Sequence, residues 1–284
     1  MRYSTAAVAA LASVVAAQKE AGCGPLELVY ARATTEPVGL GAAGKNLWNH
    51  LQKDLPGSSV YAVNYPASMD LNGGGCKGVN DLVSHLQKRS AACPNMKFAL
   101  GGHSQGGAVV TAAGPKLALE KAIVNKIVAI TMFGSPPCSD FEKPAGVAPL
   151  LARCKSFCNK GDTICDGGGG GPRVKCPGVG GKSTMLSQTF VDQMRFYSGE
   201  NLTEALEARQ LPKGAKGAGG APSGASGAGS GCGADERGHA IKGGGSGMAA
   251  HMAYNQDGYY TEAASCYITK QFKSMGGGAG AAGA

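Results

Sequence analysis

Five short apolar runs alternate along the chain with stretches whose apolar residues recur at helical spacing. The runs are LELVYARA from Leu26, SSVYAVNYP from Ser58, KFALGG from Lys97, KIVAITMFG from Lys126 and KSFCN from Lys155. Between them, GVNDLVSHLQKRSAA sets Val79, Leu82, Val83 and Leu86 on one helical face, and KNLWNHLQKDL does so with Leu47, Trp48, Leu51 and Leu55. Near the C-terminal end, YYTEAASCYITKQF lines up Tyr260, Ala264, Tyr267, Ile268 and Phe272. Buried strands alternating with amphipathic helices predict an α/β protein. The expected form is a three-layer α/β/α sandwich on a mostly parallel five-stranded sheet.

Two regions break this alternation. Residues 167–243 run through GGGGGP, GVGGKS and GAKGAGGAPSGASGAGSGCGADERG, a composition too poor in apolar side chains to offset its ordering entropy. They are expected to form a mostly disordered insertion. It contains one helix-like piece, MLSQTFVDQMRFYSGENLTEALEARQL, and an N-glycosylation pattern at Asn201. The other region is the start, MRYSTAAVAALASVVAAQKE, where an early arginine precedes a short apolar stretch and Val15 and Ala17 fit a cleavage site. Residues 1–17 therefore read as a signal peptide. Residues 18–166 and 244–275 make one domain, and 276–284 a disordered tail. The expected localisation is secreted and extracellular.

Ten cysteines, all beyond the expected cleavage point, agree with an oxidising compartment. Cys154, Cys158 and Cys165 have metal-like spacing, but no histidine pair accompanies them, so disulfides are the better reading and no metal is expected. The net charge of +8 raises the question of nucleic acid. No Lys/Arg run exceeds two residues and no aromatics interleave with them, so the charge describes a diffuse basic surface and no nucleic-acid partner is expected. Nor is any segment long enough for stable membrane insertion. The protein is expected to be a monomer.

Candidate chemistry centres on Gly102-His103-Ser104-Gln105-Gly106, a glycine-x-serine-x-glycine pattern. In a chain with 47 glycines the pattern alone is cheap, and a plain strand-to-helix turn would satisfy it. Its setting adds weight, because an apolar strand feeds it and AVVTAA continues as a small-residue helix. A serine hydroxyl in such an elbow needs a base and an acid to orient that base. His50 and His85 lie on amphipathic helices and read as solvated. His103 reads as contributing backbone only, and His239 sits in the glycine-rich insertion without a frame. Order along the chain leaves His251. For the acid, Asp162 lies between Cys158 and Cys165, where a disulfide ring would hold its carboxylate rigidly. Asp140 and Asp166 are weaker candidates.

Five blocks in order resemble the cutinase family of secreted serine esterases, which includes acetylxylan esterases and cutinase-like hydrolases. They are VYARATTEPVGLG, VYAVNYPAS, CPNMKFALGGHSQGGAVV, CNKGDTICDGGG and GGGSGMAAHMAY. The resemblance implies a minimal α/β hydrolase without a cofactor. By position it implies Ser104 as nucleophile, His251 as general base and Asp162 as orienting acid, with an oxyanion hole at Thr34 and Gln105. It also implies disulfides Cys23–Cys93 and Cys158–Cys165. It leaves the pairing of Cys76, Cys138, Cys154 and Cys266 undetermined, and places Cys176 and Cys232 in the insertion. The expected substrate is a carboxylic ester: cutin, acetylated polysaccharide or an acyl ester. A catalytically silent wall or host-recognition protein on the same fold is the alternative. One departure stands out. Asp162 and His251 are 89 positions apart (251 − 162), where the family has only a short loop. Since closure entropy grows slowly with loop length, the insertion is expected to leave the triad intact and to extend into solvent.

Overall fold

The computed structural model describes residues 22–135, 137–140, 146–166, 171–176, 232–242 and 245–277. The expected signal peptide, Asn201 and the helix-like piece of the insertion lie outside these residues, as does the tail beyond residue 277.

Each apolar run becomes a strand: β1 Leu26–Ala31, β2 Ser59–Ala62, β3 Lys97–His103, β4 Ile127–Phe133 and β5 Cys154–Phe157. They form one sheet in the order β2-β1-β3-β4-β5, with every neighbouring pair parallel. The main helices are α1 Gly41–Asp54, α2 Leu71–Ala92 and α3 Gln105–Ala118. Two single turns follow, α4 Lys121–Val124 and α5 Ala148–Leu151; then come the short α6 Met248–His251 and the closing α7 Tyr259–Ser274.

Alternation along the strands decides which helix packs where. Val29 and Ala31 of β1 face Val79, Leu82 and Leu86 of α2 and Val109, Val110 and Leu117 of α3. Leu28 and Tyr30 face Leu47 and Leu51 of α1 and Tyr260, Ile268 and Phe272 of α7. The three layers expected from the periodicity are thus present. Parallel strands put all their C-terminal ends at one edge, and the loops of the candidate site gather there.

Parts of the expected insertion lie against this frame. Residues 171–176 lie against α2: Val174 is buried over Gly75, Lys175 N–H donates to Asn72 Oδ1, and Cys176 is bonded to Cys76. Residues 232–242 return beside β5, with Cys232 bonded to Cys266 of α7. The composition hid this because two long-range disulfides hold backbone that its own side chains could not order. Cys23–Cys93, Cys138–Cys154 and Cys158–Cys165 are the other three disulfides.

His85 also departs from its expected solvated place. It bonds Glu27 Oε2 through Nε2 at 2.7 Å and stacks on Tyr61. Glu27 is buried at the start of β1 and also accepts from Arg89 Nε at 3.2 Å and Ser59 Oγ at 3.0 Å. Burial alone would raise the Glu27 carboxyl; the hydrogen bond and charge of His85, then Arg89, outweigh it and hold the pKa low. Glu27→Ala would strand two buried donors. Chemical denaturation is expected to show a loss of about 3–5 kcal/mol, against near-neutrality if the cluster were solvated.

Candidate active site

The serine sits where β3 gives way to α3. Its backbone, at φ 53° and ψ −117°, lies in a region that L-residues rarely occupy. Two glycines make the turn possible. A Cβ at Gly106 would run into the Ala31 carbonyl oxygen, and one at Gly102 into the Gly106 backbone. Ser104 N–H donates to Phe133 O at 3.0 Å, pinning the elbow to β4. The Ser104 side chain is fully buried and its Oγ has no hydrogen-bond partner among the described residues.

The loop after β1 lies beside this elbow. Arg32 is buried and donates from Nε to Glu36 O and from Nη2 to Tyr65 O, while Glu36 accepts the N–H groups of Ala33 and Ala42. Those bonds shape residues 32–36 around Thr34, whose buried Oγ1 has no partner. Across from it Gln105 opens α3, where first-turn N–H groups have no intrahelical acceptor. Gln105 is anchored through Nε2 to Ser68 O at 2.9 Å.

The carboxylate comes from the loop that follows β5. Cys158–Cys165 closes that loop, and Asp162 lies inside it, fully buried. His251, at the end of α6, donates from Nδ1 to Asp162 at 3.0 and 3.1 Å. Tyr254 OH donates to Oδ2 at 2.6 Å and Ile164 N–H to Oδ1 at 2.8 Å. Burial pushes the Asp162 carboxyl up, but the hydrogen bond and charge of His251, with the Tyr254 and Ile164 donors, bring it below its usual value. Because Nδ1 carries the proton facing an ionised carboxylate, Nε2 of neutral His251 is a bare lone pair. It is buried and without a partner among the described residues. Gly134, at φ 53°, makes room for both residues, since a Cβ there would press on His251 Nδ1 and Asp162 Oδ2.

The remaining candidates take other places. Asp166 accepts the Gly161 N–H at 2.7 Å and so closes the acid loop on itself. Asp140 ends a 3-10 turn, Cys138–Asp140, between β4 and β5. His50 stays half-buried on α1. His239, expected to lack a frame, is stacked on Tyr259 and bonded to Asp257 at 2.6 Å, because the Cys232–Cys266 bond brings its segment back to α7. Cys158, Asp162 and Cys165 offer ligand atoms within 4.8 Å of one another. The two sulfurs are bonded to each other and the carboxylate is taken by His251 and Tyr254, so that donor set is spent.

Two participants escaped the sequence reading. Tyr254 is the second side-chain donor to Asp162; its signal was its place three residues after His251 in GMAAHMAY. The His103 ring, read as idle, is buried, bonds His251 O from Nε2 at 2.9 Å, and lies 4.9 Å from the His251 ring. An elbow position at the end of a central strand has no open solvent to point into, so the ring turns inward against the histidine loop.

The family model for cutinase matches residues 22–193. Carboxylesterase Culp1 of Mycobacterium tuberculosis is 34% identical over 156 residues, which cover 52% of this chain and 71% of that protein. Phospholipase Culp4 of the same organism is 36% identical over 173 residues, covering 57% and 76%. The solved structure of Trichoderma reesei cutinase with a phosphonate inhibitor is 34% identical, covers 51% of this chain and 66% of its own, and aligns with a TM-score of 0.44.

Burial, together with the neighbouring His251 imidazole, depresses the His103 pKa from 6.5 to about 3. Between those values the unfolded chain binds a proton that the folded chain refuses, so stability falls as pH falls, by at most about 1.4 kcal/mol per pH unit. His103→Asn removes that loss. Denaturation at pH 6.5 and at pH 4 is expected to show a smaller drop in the variant than in the wild type; equal drops would mean that the ring protonates in the folded state.

Proposed function

The chain belongs to the cutinase family of carboxylic ester hydrolases, and we propose that it is a secreted serine esterase working through an acyl-enzyme on Ser104. One observation carries the reading: Asp162 and His251 are bonded to each other, and among the described residues the buried His251 Nε2 and Ser104 Oγ both have no hydrogen-bond partner.

Chemistry follows from that arrangement. Ser104 Oγ attacks the ester carbonyl carbon as its proton passes to His251 Nε2. Negative charge moves to the carbonyl oxygen, where the backbone N–H groups of Gln105 and Thr34 receive it; each such donor supports the transition state by about 3 kcal/mol. His251 then protonates the leaving alcohol, and water repeats the sequence to release the acid. Asp162 stays ionised throughout, holding the ring in the tautomer that exposes Nε2 and stabilising the imidazolium. Tyr254 remains a proton donor to it, since burial and then the Asp162 charge keep its phenol pKa well above 10.

Ile164 and Met248 form a small apolar cluster with the partly exposed Met69 and Met252. Ile164 is two residues from Asp162 and Met252 adjoins His251, so the cluster flanks the triad. Adaptable methionines there favour an acyl chain over a sugar as the group lying beside the reacting carbonyl. Cutin-like polyesters and medium acyl esters are therefore preferred to acetylated xylan. Five disulfides, with no free cysteine among the described residues, support an oxidising compartment. Among those residues no helix is long and apolar enough to cross a membrane. Complete burial of Ser104 and His251 favours the second reading, a silent protein on this fold.

A serine-directed phosphonate decides between them. The wild type is expected to be labelled and Ser104→Ala not; a folded wild type that resists labelling supports the silent reading. His251→Ala and Asp162→Asn are each expected to lower kcat by about 10³–10⁴ on soluble nitrophenyl esters. Butyrate should exceed acetate in kcat/KM, and the reverse order would point to an acetyl esterase.

A further inference from the structure

β5 is an edge strand, and its outward N–H groups require partners. Residues 232–242 supply them. Ser156 N–H donates to Glu236 Oε2 at 2.9 Å, Cys158 N–H to Glu236 O at 2.7 Å and Lys160 N–H to His239 O at 2.8 Å. The donors are alternate positions along β5 and its continuation, the acceptors are the Glu236 side chain and two carbonyls three positions apart, and Cys158 and Arg237 form an isolated parallel bridge. The bonds do not stop where β5 stops. Lys160 lies within the acid loop, and Arg237 reaches past it to donate from Nη1 to Cys165 O at 2.7 Å.

We propose that residues 232–242 act as a strap that positions Asp162, with Arg237 as its principal positioning residue. The inference rests on Asp162 being the orienting acid. Inside the loop, Cys158–Cys165 fixes the ends to each other, and Asp162 N–H bonds Asn159 O. Neither bond fixes the ring relative to β5. Gly161, at φ 79°, gives the loop a joint immediately before Asp162. The strap holds one side of the ring through the N–H groups of Cys158 and Lys160, and Arg237 holds the other at Cys165 O. It is itself anchored to α7 by Cys232–Cys266, to Asp257 through His239, and by the buried Ile241. A strap serving only to cover the edge would have no need of the bond at Cys165, beyond the strand.

Loosening the ring would let the carboxylate drift from His251 Nδ1. That contact strengthens as the imidazolium forms, so its loss weakens the transition state more than substrate binding. In the full-length protein, Arg237→Ala is expected to lower kcat on nitrophenyl butyrate about tenfold at unchanged KM, well below its thermal midpoint. Arg237→Lys should recover part of it. The low-field proton resonance of His251 Nδ1–H should shift or broaden in Arg237→Ala, a signature that mere loss of stability in a folded sample would not produce. Lys155→Ala, which removes a 3.8 Å ion pair between β5 and the Glu236 side chain and leaves the Arg237–Cys165 bond in place, should alter melting temperature at most. Wild-type kcat and an unmoved resonance in Arg237→Ala would overturn the strap's role while phosphonate labelling of Ser104 still upheld the triad. If Arg237→Ala does not fold, the same pair of measurements on Arg237→Gln decides. A wild type that neither turns over ester nor accepts the phosphonate overturns both readings at once.

Discussion

A buried carboxylate cannot be left alone, and much of the site's architecture follows from that constraint. Asp162 has no solvent contact, so its charge must be met by donors fixed in place. His251, Tyr254 and Ile164 meet it from three directions. Supplying them requires α6 to end beside the acid loop, which Asn159 secures by donating from Nδ2 to Ala250 O at 2.8 Å, and Gly247 by donating to Gly161 O at 2.7 Å. It also requires Gly134 where any side chain would intrude. Satisfying one charge therefore aligns a ring whose Nε2 has no hydrogen-bond partner among the described residues.

The sheet contributes the other half of the geometry. Parallel pairing sends the ends of β1, β3, β4 and β5 to one edge, so the loop at Thr34, the elbow at Ser104, Gly134 and the acid loop become neighbours without special connections. The opposite edge holds the Glu27, His85 and Arg89 cluster, where buried charge serves packing alone. Two polar clusters of similar composition thus differ in one respect. At the Glu27 end each carboxylate oxygen is paired with a donor, whereas at the Ser104 end Ser104 Oγ and His251 Nε2 have no hydrogen-bond partner among the described residues.

Strands and helix faces were legible because their signal is local: alternation or helical spacing within a dozen residues fixes which side is apolar. The elbow was legible for the same reason, since strand, glycines and helix are contiguous. The residues that were misread or left open share the opposite property. His85 meets Glu27 across 58 positions, His103 meets His251 across 148, and Cys76 meets Cys176 across 100. No window along the chain contains both members of such a pair. Glycine-rich composition is a guide to what 171–176 and 232–242 could do unaided, and it carries no sign of the external support that their cysteines bring.

The disulfides divide the molecule in an uneven way. Cys23–Cys93, Cys76–Cys176, Cys138–Cys154 and Cys158–Cys165 all close within residues 22–176, while Cys232–Cys266 closes within 232–277. No sulfur bridge joins the part bearing hydroxyl and carboxylate to the part bearing imidazole. The imidazole is held in register by the seating of α7 on α1 and β4 and by hydrogen bonds, so the mechanical endurance of the Ser104, Asp162 and His251 arrangement is that of a docked interface and not of a cross-linked cage.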